Sequence, residues 1–441
     1  MTSRRGRLAD AAAGTSTDAN AGPVPNVPSA APPRSHHTWA QARLAAYEVG
    51  RAAAVSIAER VRLGQAIGRT LATDLLAPCQ LPRFASSAMD GWAVAQPAST
   101  GFAATTAEWQ VGEPILAGDS PAAHPIRPGW ARPIATGAPV PAGTIAVVRR
   151  EHGDVVRTAP GSALLHLNAL APSPTPRVGD HIRPAGEEAA EGDTLLAAST
   201  FLTAPAIALA AVAGYDDLVV RTVPTVDLLL LGDELVHSGE PTGGSIRDAF
   251  GPSLPSICRA LGLAATPAVS VADDRASTLA ALEATTAPLV ITTGGSSHGP
   301  ADHLHPALTA LGARFVIDGV LMRPGHPVIV AVLPDGRIVL GLPGNPLAAL
   351  VCLASFGMPL ADGLLERTHR RLGVAITTDG FENPANATRL VACRSTGDGI
   401  VAVPWQGSGM LRGLAQCELV AVIPPGGVAA GSVVETVPLP W

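Results

Sequence analysis

Two short stretches bring together the residue types that grip an anion. Ile291 to Ala307 reads ITTGGSSHGPADHLHPA, a strand-like run followed by a loop with Gly294, Gly295 and Gly299 and a helix beginning near Pro300. Glycine lets backbone amides approach an anion closely, and a helix amino terminus adds a favourable dipole. Asp302 at that edge has the chemistry to hold magnesium, which prefers carboxylate and water oxygens. The same aspartate suits the first turn of a helix, so spacing alone leaves both readings open. Gly341 to Pro346, GLPGNP, again separates a strand-like run from a helix. Asn345 suits a helix cap and Pro346 the first helical position, but capping does not account for the Gly and Pro packing before them. A third cluster is acidic: Gly232, Asp233 and Glu234, with Asp248 further on. Carboxylates there can bind metal or orient a water, or be solvated loop charges. His298, His303 and His305 have no companion cysteines, so a zinc site is not read from them.

The elements that position these residues follow from periodicity. Thr38 to Leu76 carries apolar residues at three- and four-residue spacing, which predicts a helix ended by Pro78 and Pro82. Short runs between Gly91 and Leu196, separated by Gly and Pro turns, predict an all-β module. A second helix is expected over Thr203 to Val212. From Thr222 to Leu365 strands (226–231, 289–293, 338–342) alternate with helices (251–263, 301–311, 346–356), the pattern of βαβ units and a mostly parallel, doubly covered sheet. Such sheets bind ligands beyond the carboxyl ends of their strands, where both glycine loops and the acidic cluster fall. Gly373 to Trp441 returns to short strands, as expected of a small β-barrel.

At 441 residues several domains are expected. Aromatics make up only 3%, so the cores are built from small aliphatic side chains, and all 30 basic residues are arginine. A net charge of −6 without a basic run excludes binding nucleic acid through its phosphates, but not a local anion pocket. Five scattered cysteines without a CxxC pair suggest a reducing compartment such as the cytoplasm. Residues 1–36 lack an apolar signal core and read as a disordered tail. The longest apolar stretches fall short of the roughly 20 residues of a membrane span, so a soluble protein without a membrane partner is expected.

Several collinear segments resemble one family. Leu81 to Val94, LPRFASSAMDGWAV, is similar to the LPxFDNSAMDGYAV signature of the MoeA/gephyrin E-domain family, the molybdopterin molybdenumtransferases. The likeness continues through Pro128 to Glu151 (PGWARPIATGAPVPAGTIAVVRRE), Arg183 to Gly192, Leu231 to Gly239 (LGDELVHSG), Thr293 to Asp302, Met322 to Pro327 (MRPGHP) and GLPGNP. It implies a multidomain α/β and β protein. The parts are an elongated domain over 37–90 and 166–221, an inserted β domain over 91–165, a three-layer α/β molybdopterin-binding domain over 222–368 and a C-terminal β-barrel over 369–441.

The implied reaction is magnesium-dependent, with molybdate displacing the adenylyl phosphate of molybdopterin-AMP to give the molybdenum cofactor and AMP. The implied partners are a second copy in a homodimer, a molybdopterin adenylyltransferase and recipient molybdoenzymes. Carried over by position, the family's acidic residues fall on Asp90, Glu187, Asp248 and Asp302, the last two as magnesium ligands. Substrate contacts fall on Thr136, Gly294, Gly295, Ser297, Gly344, Asn345 and Pro346. Arg323 and His326 stand where the family has lysines facing molybdate, and Arg389 and Ser408 match further oxyanion contacts. Asp90, Glu187 and Thr136 are expected to line the cleft from the partner subunit.

The chain departs from the pattern where Ile145 replaces an acidic residue, Ala348 a serine and His326 a lysine. A histidine with the ordinary pKa of about 6.5 is only partly protonated at neutral pH, so molybdate use is expected to weaken as pH rises. Those departures also define a second function, a non-catalytic carrier of molybdopterin or finished cofactor for one molybdoenzyme.

Overall fold

The computed structural model describes residues 37–54, 57–97, 107–120, 125–296 and 302–441. At its centre, Thr225–Leu231 lies parallel to Leu289–Thr293, which lies parallel to Ile338–Leu342. Their side chains alternate between two cores: Leu228, Leu230, Ile291 and Leu340 face one, Leu229, Leu231, Val290 and Val339 the other. This is the period of two that a doubly covered sheet demands. Helices Leu254–Leu261 and Pro346–Cys352 cover the first face, Arg275–Ala284 and Leu304–Ala310 the second. The sheet is less uniform than expected, because Ile329–Val332 and Arg314–Asp318 add antiparallel strands at one edge.

The helix expected over Thr38 to Leu76 stops at Ala52. It starts at a capping box, with Thr38 and Gln41 each accepting from the other's backbone amide, and buries Trp39, Ala42 and Ala46 in the α/β core. Gly50 and Gly363 let it lie directly on helix Met358–Leu364, each glycine facing the other helix's backbone. Beyond it, Ala58–Arg62 is a strand paired antiparallel with Asp217–Arg221. Tertiary pairing overrides helical spacing there, and Leu71, Leu202, Ala210 and Val220 form a separate small core with helix Ala204–Ala213.

The inserted part is a six-stranded sheet holding Gly91–Ala95 between Thr144–Arg149 and Trp130–Ile134, over a core of Val94, Trp109, Ala146 and Leu165. In the C-terminal part, Gly373–Ile376, Val433–Pro438, Leu419–Ile423, Thr388–Thr396 and Gly399–Ala402 pair in turn, and a Thr377–Ile400 bridge closes the barrel. One addition was not legible in the sequence: Val320–Arg323, from the α/β segment, joins this barrel's sheet parallel to Thr388–Thr396.

One helical run, Pro346–Leu364, has the length and the mean hydropathy of 1.7 of a membrane span, but 94% of it is buried within the protein. It is a core helix.

Candidate functional site

The ends of three parallel strands meet at Gly294. Its amide donates to the Leu342 carbonyl at 3.1 Å, and Ser296 Oγ donates to the same oxygen at 3.3 Å. Its φ of +84° is one that L side chains avoid, and a Cβ there would lie 2.7 Å from the Leu231 carbonyl oxygen. Gly344 approaches so closely that its Cβ would sit 3.6 Å from Gly294 Cα. The two glycine loops therefore touch at one rim, as the sequence pattern anticipated. Ser297, together with His298 and Gly299, lies outside the described residues.

Asp302 is half-buried, and its Oδ1 accepts from the His305 amide at 3.2 Å at the start of helix Leu304–Ala310. Asn345 precedes helix Pro346–Cys352 but makes no side-chain cap. That role falls to the C-terminal barrel: the Ala348 amide donates to the Ser408 carbonyl at 3.1 Å. The expectation of an Asn345 cap is corrected.

This contact fixes the rim beside a cleft of about 460 Å³ lined by Arg323, Glu382, Asn383, Arg389, Gln406 and Ser408. Arg323 and Arg389 are register partners on adjacent parallel strands, so both guanidinium groups line one cavity. Arg389 Nη1 donates to the Glu382 carbonyl at 2.5 Å. Gln406 clamps the loop before Ser408, accepting from the Ala392 amide at 3.1 Å and donating to the Ala392 and Val403 carbonyls at 2.9 and 2.6 Å. Glu382, Asn383 and Gln406 were missed in the sequence; only the parallel pairing of two distant strands reveals them.

His326 differs from the expected anion contact. Its Nδ1–H donates to the Val320 carbonyl at 2.7 Å, and it is not among the described residues lining the cleft. Asp248 is 5% exposed, its Oδ1 accepting from the Phe250 and Gly251 amides at 2.8 and 3.0 Å and its Oδ2 lying 3.1 Å from His237 Nδ1. Burial works against its charged form, but the Gly251 and Phe250 amides and His237 outweigh it and hold the carboxyl below the usual range.

Asp90 and Thr136 meet elsewhere, in the inserted part. Asp90 Oδ1 accepts from the Thr136 amide at 2.7 Å and its hydroxyl at 2.8 Å, and these bonds, the amide first, lower the carboxyl's pKa. Asp90 opens on a cavity of about 420 Å³ lined also by Trp92, Leu116, Pro133 and Arg150. Glu187 is exposed on a turn whose neighbouring amides, Gly186 and Glu188, bond to the Pro82 and Leu81 carbonyls.

Comparison with known proteins gives these features a context. Residues 39–214 match the MoeA N-terminal region (domain I and II), and residues 227–362 the probable molybdopterin binding domain. A molybdopterin molybdenumtransferase of Synechococcus elongatus is 34% identical over 390 residues, 86% of this chain and 93% of its own length. The chain belongs to the MoeA family. A second relative, molybdopterin molybdenumtransferase 2 of Mycobacterium tuberculosis, is 34% identical over 74% of the chain and 80% of its own length. The crystal structure of a molybdopterin biosynthesis MoeA protein from Pyrococcus horikoshii superposes with a TM-score of 0.74 at 21% identity, covering 91% of this chain and all of that one, which bears on the fold alone.

Within this MoeA fold the departures at Ile145 and Ala348 are packing residues. Ile145 packs against the core of the inserted sheet, and Ala348 is 3% exposed in the α/β core. Its backbone amide, not its side chain, makes the contact to Ser408.

Proposed function

We propose that this chain inserts molybdate into adenylylated molybdopterin, releasing AMP, in the cytoplasm and as a homodimer. It would draw on a molybdopterin adenylyltransferase and supply recipient molybdoenzymes. The observation that carries the reading is the cleft in which Arg323 and Arg389 stand side by side next to Ser408, with the Gly294 and Gly344 loops adjoining through the Ala348 to Ser408 bond. Two guanidinium groups offer an oxyanion paired, charge-assisted hydrogen bonds and stabilise negative charge as the phosphate leaves. The apposed glycine loops give a phosphorylated pterin close access to backbone at the carboxyl edge of the sheet. Five unpaired cysteines suit a reducing compartment. Exposed apolar side chains of the elongated part, among them Ile67, Phe201 and Val212, suit contact with a second copy.

The described residues do not fit a resident magnesium ion. No group of three or more His, Cys, Asp or Glu side chains among them converges, Asp248 is committed to amides and His237, and one oxygen of Asp302 is bonded to a helix amide. The test is reconstitution with purified protein, molybdopterin-AMP, magnesium and molybdate. Molybdate-dependent AMP release supports the reading. Tight binding of molybdopterin-AMP without release overturns it in favour of the carrier.

A further inference from the structure

Another cavity, of about 750 Å³, shares no lining residue with the arginine cleft or the glycine loops. Its walls come from the turn over 197–201, from Ala260 near the end of helix Leu254–Leu261, from the segment after helix Met358–Leu364 and from residues 439–441. Asp362, on one wall, stands sixteen residues beyond Pro346 on one helical run. At 1.5 Å per residue that is about 24 Å from the glycine rim. A volume of this order suits a small organic ligand.

The charges along the cavity alternate. Arg367 is buried, its guanidinium donating to the Thr70 hydroxyl at 2.8 Å and to the Leu261 carbonyl at 3.0 Å. Asp362 is fully buried as well, its Oδ1 accepting from Arg370 Nε at 3.0 Å and its Oδ2 without a hydrogen-bond partner. Arg370 is the partly exposed member. Its Nη1 reaches Met358 Sδ at 3.4 Å, and its Nη2 has no partner among the described residues. Two guanidinium groups outweigh one carboxylate, whose charged form burial opposes, so the cavity favours an anion. The hydroxyls of Ser199, Thr200 and Thr368 line the same cavity and make no hydrogen bond among the described residues. Arginine and hydroxyl donors together suit a phosphate. The rest of the wall is largely apolar and includes the exposed indole of Trp441, on which a planar base can stack.

We infer that this cavity binds a nucleoside monophosphate, with the phosphate held by Arg370 and the neighbouring hydroxyls and the base against Trp441. Asp362 is the positioning residue, since its bond to Nε fixes the guanidinium that receives the phosphate. The site is separate from the proposed reaction, because none of its residues lies in the arginine cleft.

The test is equilibrium dialysis of the purified protein with AMP, ribose 5-phosphate and adenosine, with thermal melting of each variant as a check on folding. Arg370→Gln keeps an amide donor for Asp362 but removes the cation, and it weakens AMP binding at one site per chain about thirtyfold. Asp362→Asn combined with Arg370→Gln leaves no member of that pair charged and alone, and loses AMP to the same extent. Trp441→Ala weakens AMP about tenfold and leaves ribose 5-phosphate as it was. Arg323→Ala combined with Arg389→Ala retains the site, which separates it from the cleft. Unchanged AMP stoichiometry and affinity in both Arg370 variants overturn the inference. Ribose 5-phosphate bound as tightly as AMP overturns the contact of a base with Trp441, and adenosine bound as tightly as AMP overturns the phosphate contact.

Discussion

The cleft holding Arg323 and Arg389 lies where a strand from the α/β segment has joined the C-terminal barrel, whereas the cavity holding Asp90 lies within the single inserted sheet. The first is lined by two cations and has an amide-to-carbonyl bond between parts at its margin. The second presents a carboxylate whose charge is held by the amide and hydroxyl of one threonine. Charge in the cleft is positioned by strands from two different parts of the protein; charge in the cavity is positioned within one sheet, where the pairing of Gly91–Ala95 with Trp130–Ile134 brings Thr136 to Asp90. A cleft of the first kind exists only when several parts are folded together, while a cavity of the second kind needs only its own sheet. An oxyanion reagent suits the first and a proton or water suits the second.

The largest effect that would break this contrast concerns the arginines. Arg389→Ala and Arg323→Ala are each expected to raise the KM for molybdate about thirtyfold, the equivalent of about 2 kcal/mol for a lost charge-assisted hydrogen bond. The double variant should exceed either single one. An unchanged KM in the double variant would leave the cleft without its role and put the oxyanion elsewhere.

Next in size is Gly294→Ala, which tests whether the rim depends on the glycine. A left-handed φ of +84° together with the approach to the Leu231 carbonyl oxygen should cost about 2 kcal/mol or more in stability. Denaturant unfolding measures this. A variant as stable as wild type would mean that the rim relaxes freely and that its close apposition to Gly344 is not required.

Asp90→Asn separates the two regions. It should leave the KM for molybdate within about twofold of wild type, because the arginines are untouched, while lowering kcat. The pH dependence has a fixed sign. The folded Asp90 carboxyl titrates below its ordinary value of about 3.9, so its bonds to Thr136 contribute stability that is complete above that value. The contribution is lost as pH falls through the lowered pKa. The stability difference between wild type and Asp90→Asn should therefore shrink on acidification below about pH 4. A difference that grows on acidification would mean that Asp90 is not held in its charged form.

The same contrast explains how much was legible in the residues alone. The apposed glycine loops followed from alternating strands and helices, because two adjacent parallel strands place their following loops together. Asp90 and Thr136, expected with Glu187 to line the cleft from a partner subunit, bond to each other, while Glu187 lies on the turn held by Pro82 and Leu81. Segment Ala58–Arg62 read as helix because three- and four-residue spacing also arises in a strand edged by exposed residues, and only Asp217–Arg221 supplies the deciding partner. Gln406 carries no local signal, because its significance depends on strands distant in sequence and no periodicity encodes which ones meet.

The smallest expected effect concerns His326, whose position in MRPGHP suggested a titrating contact to molybdate. The structure instead bonds its Nδ1–H to the Val320 carbonyl, and the Val320 amide returns a bond to the His326 carbonyl at 3.0 Å. The histidine thus closes the turn that follows strand Val320–Arg323, the strand that carries Arg323 to the cleft. A turn closure of this kind contributes about 1 kcal/mol and acts on where Arg323 stands, not on the charge around the oxyanion. His326→Arg should accordingly change the KM for molybdate less than about threefold and leave its pH profile parallel to that of wild type. His326→Ala should behave like His326→Arg, since both lose the Val320 bond. If His326→Arg alone strengthens molybdate use, and does so more at high pH than at low, the ring belongs to the cleft after all and the cationic set is three residues, not two.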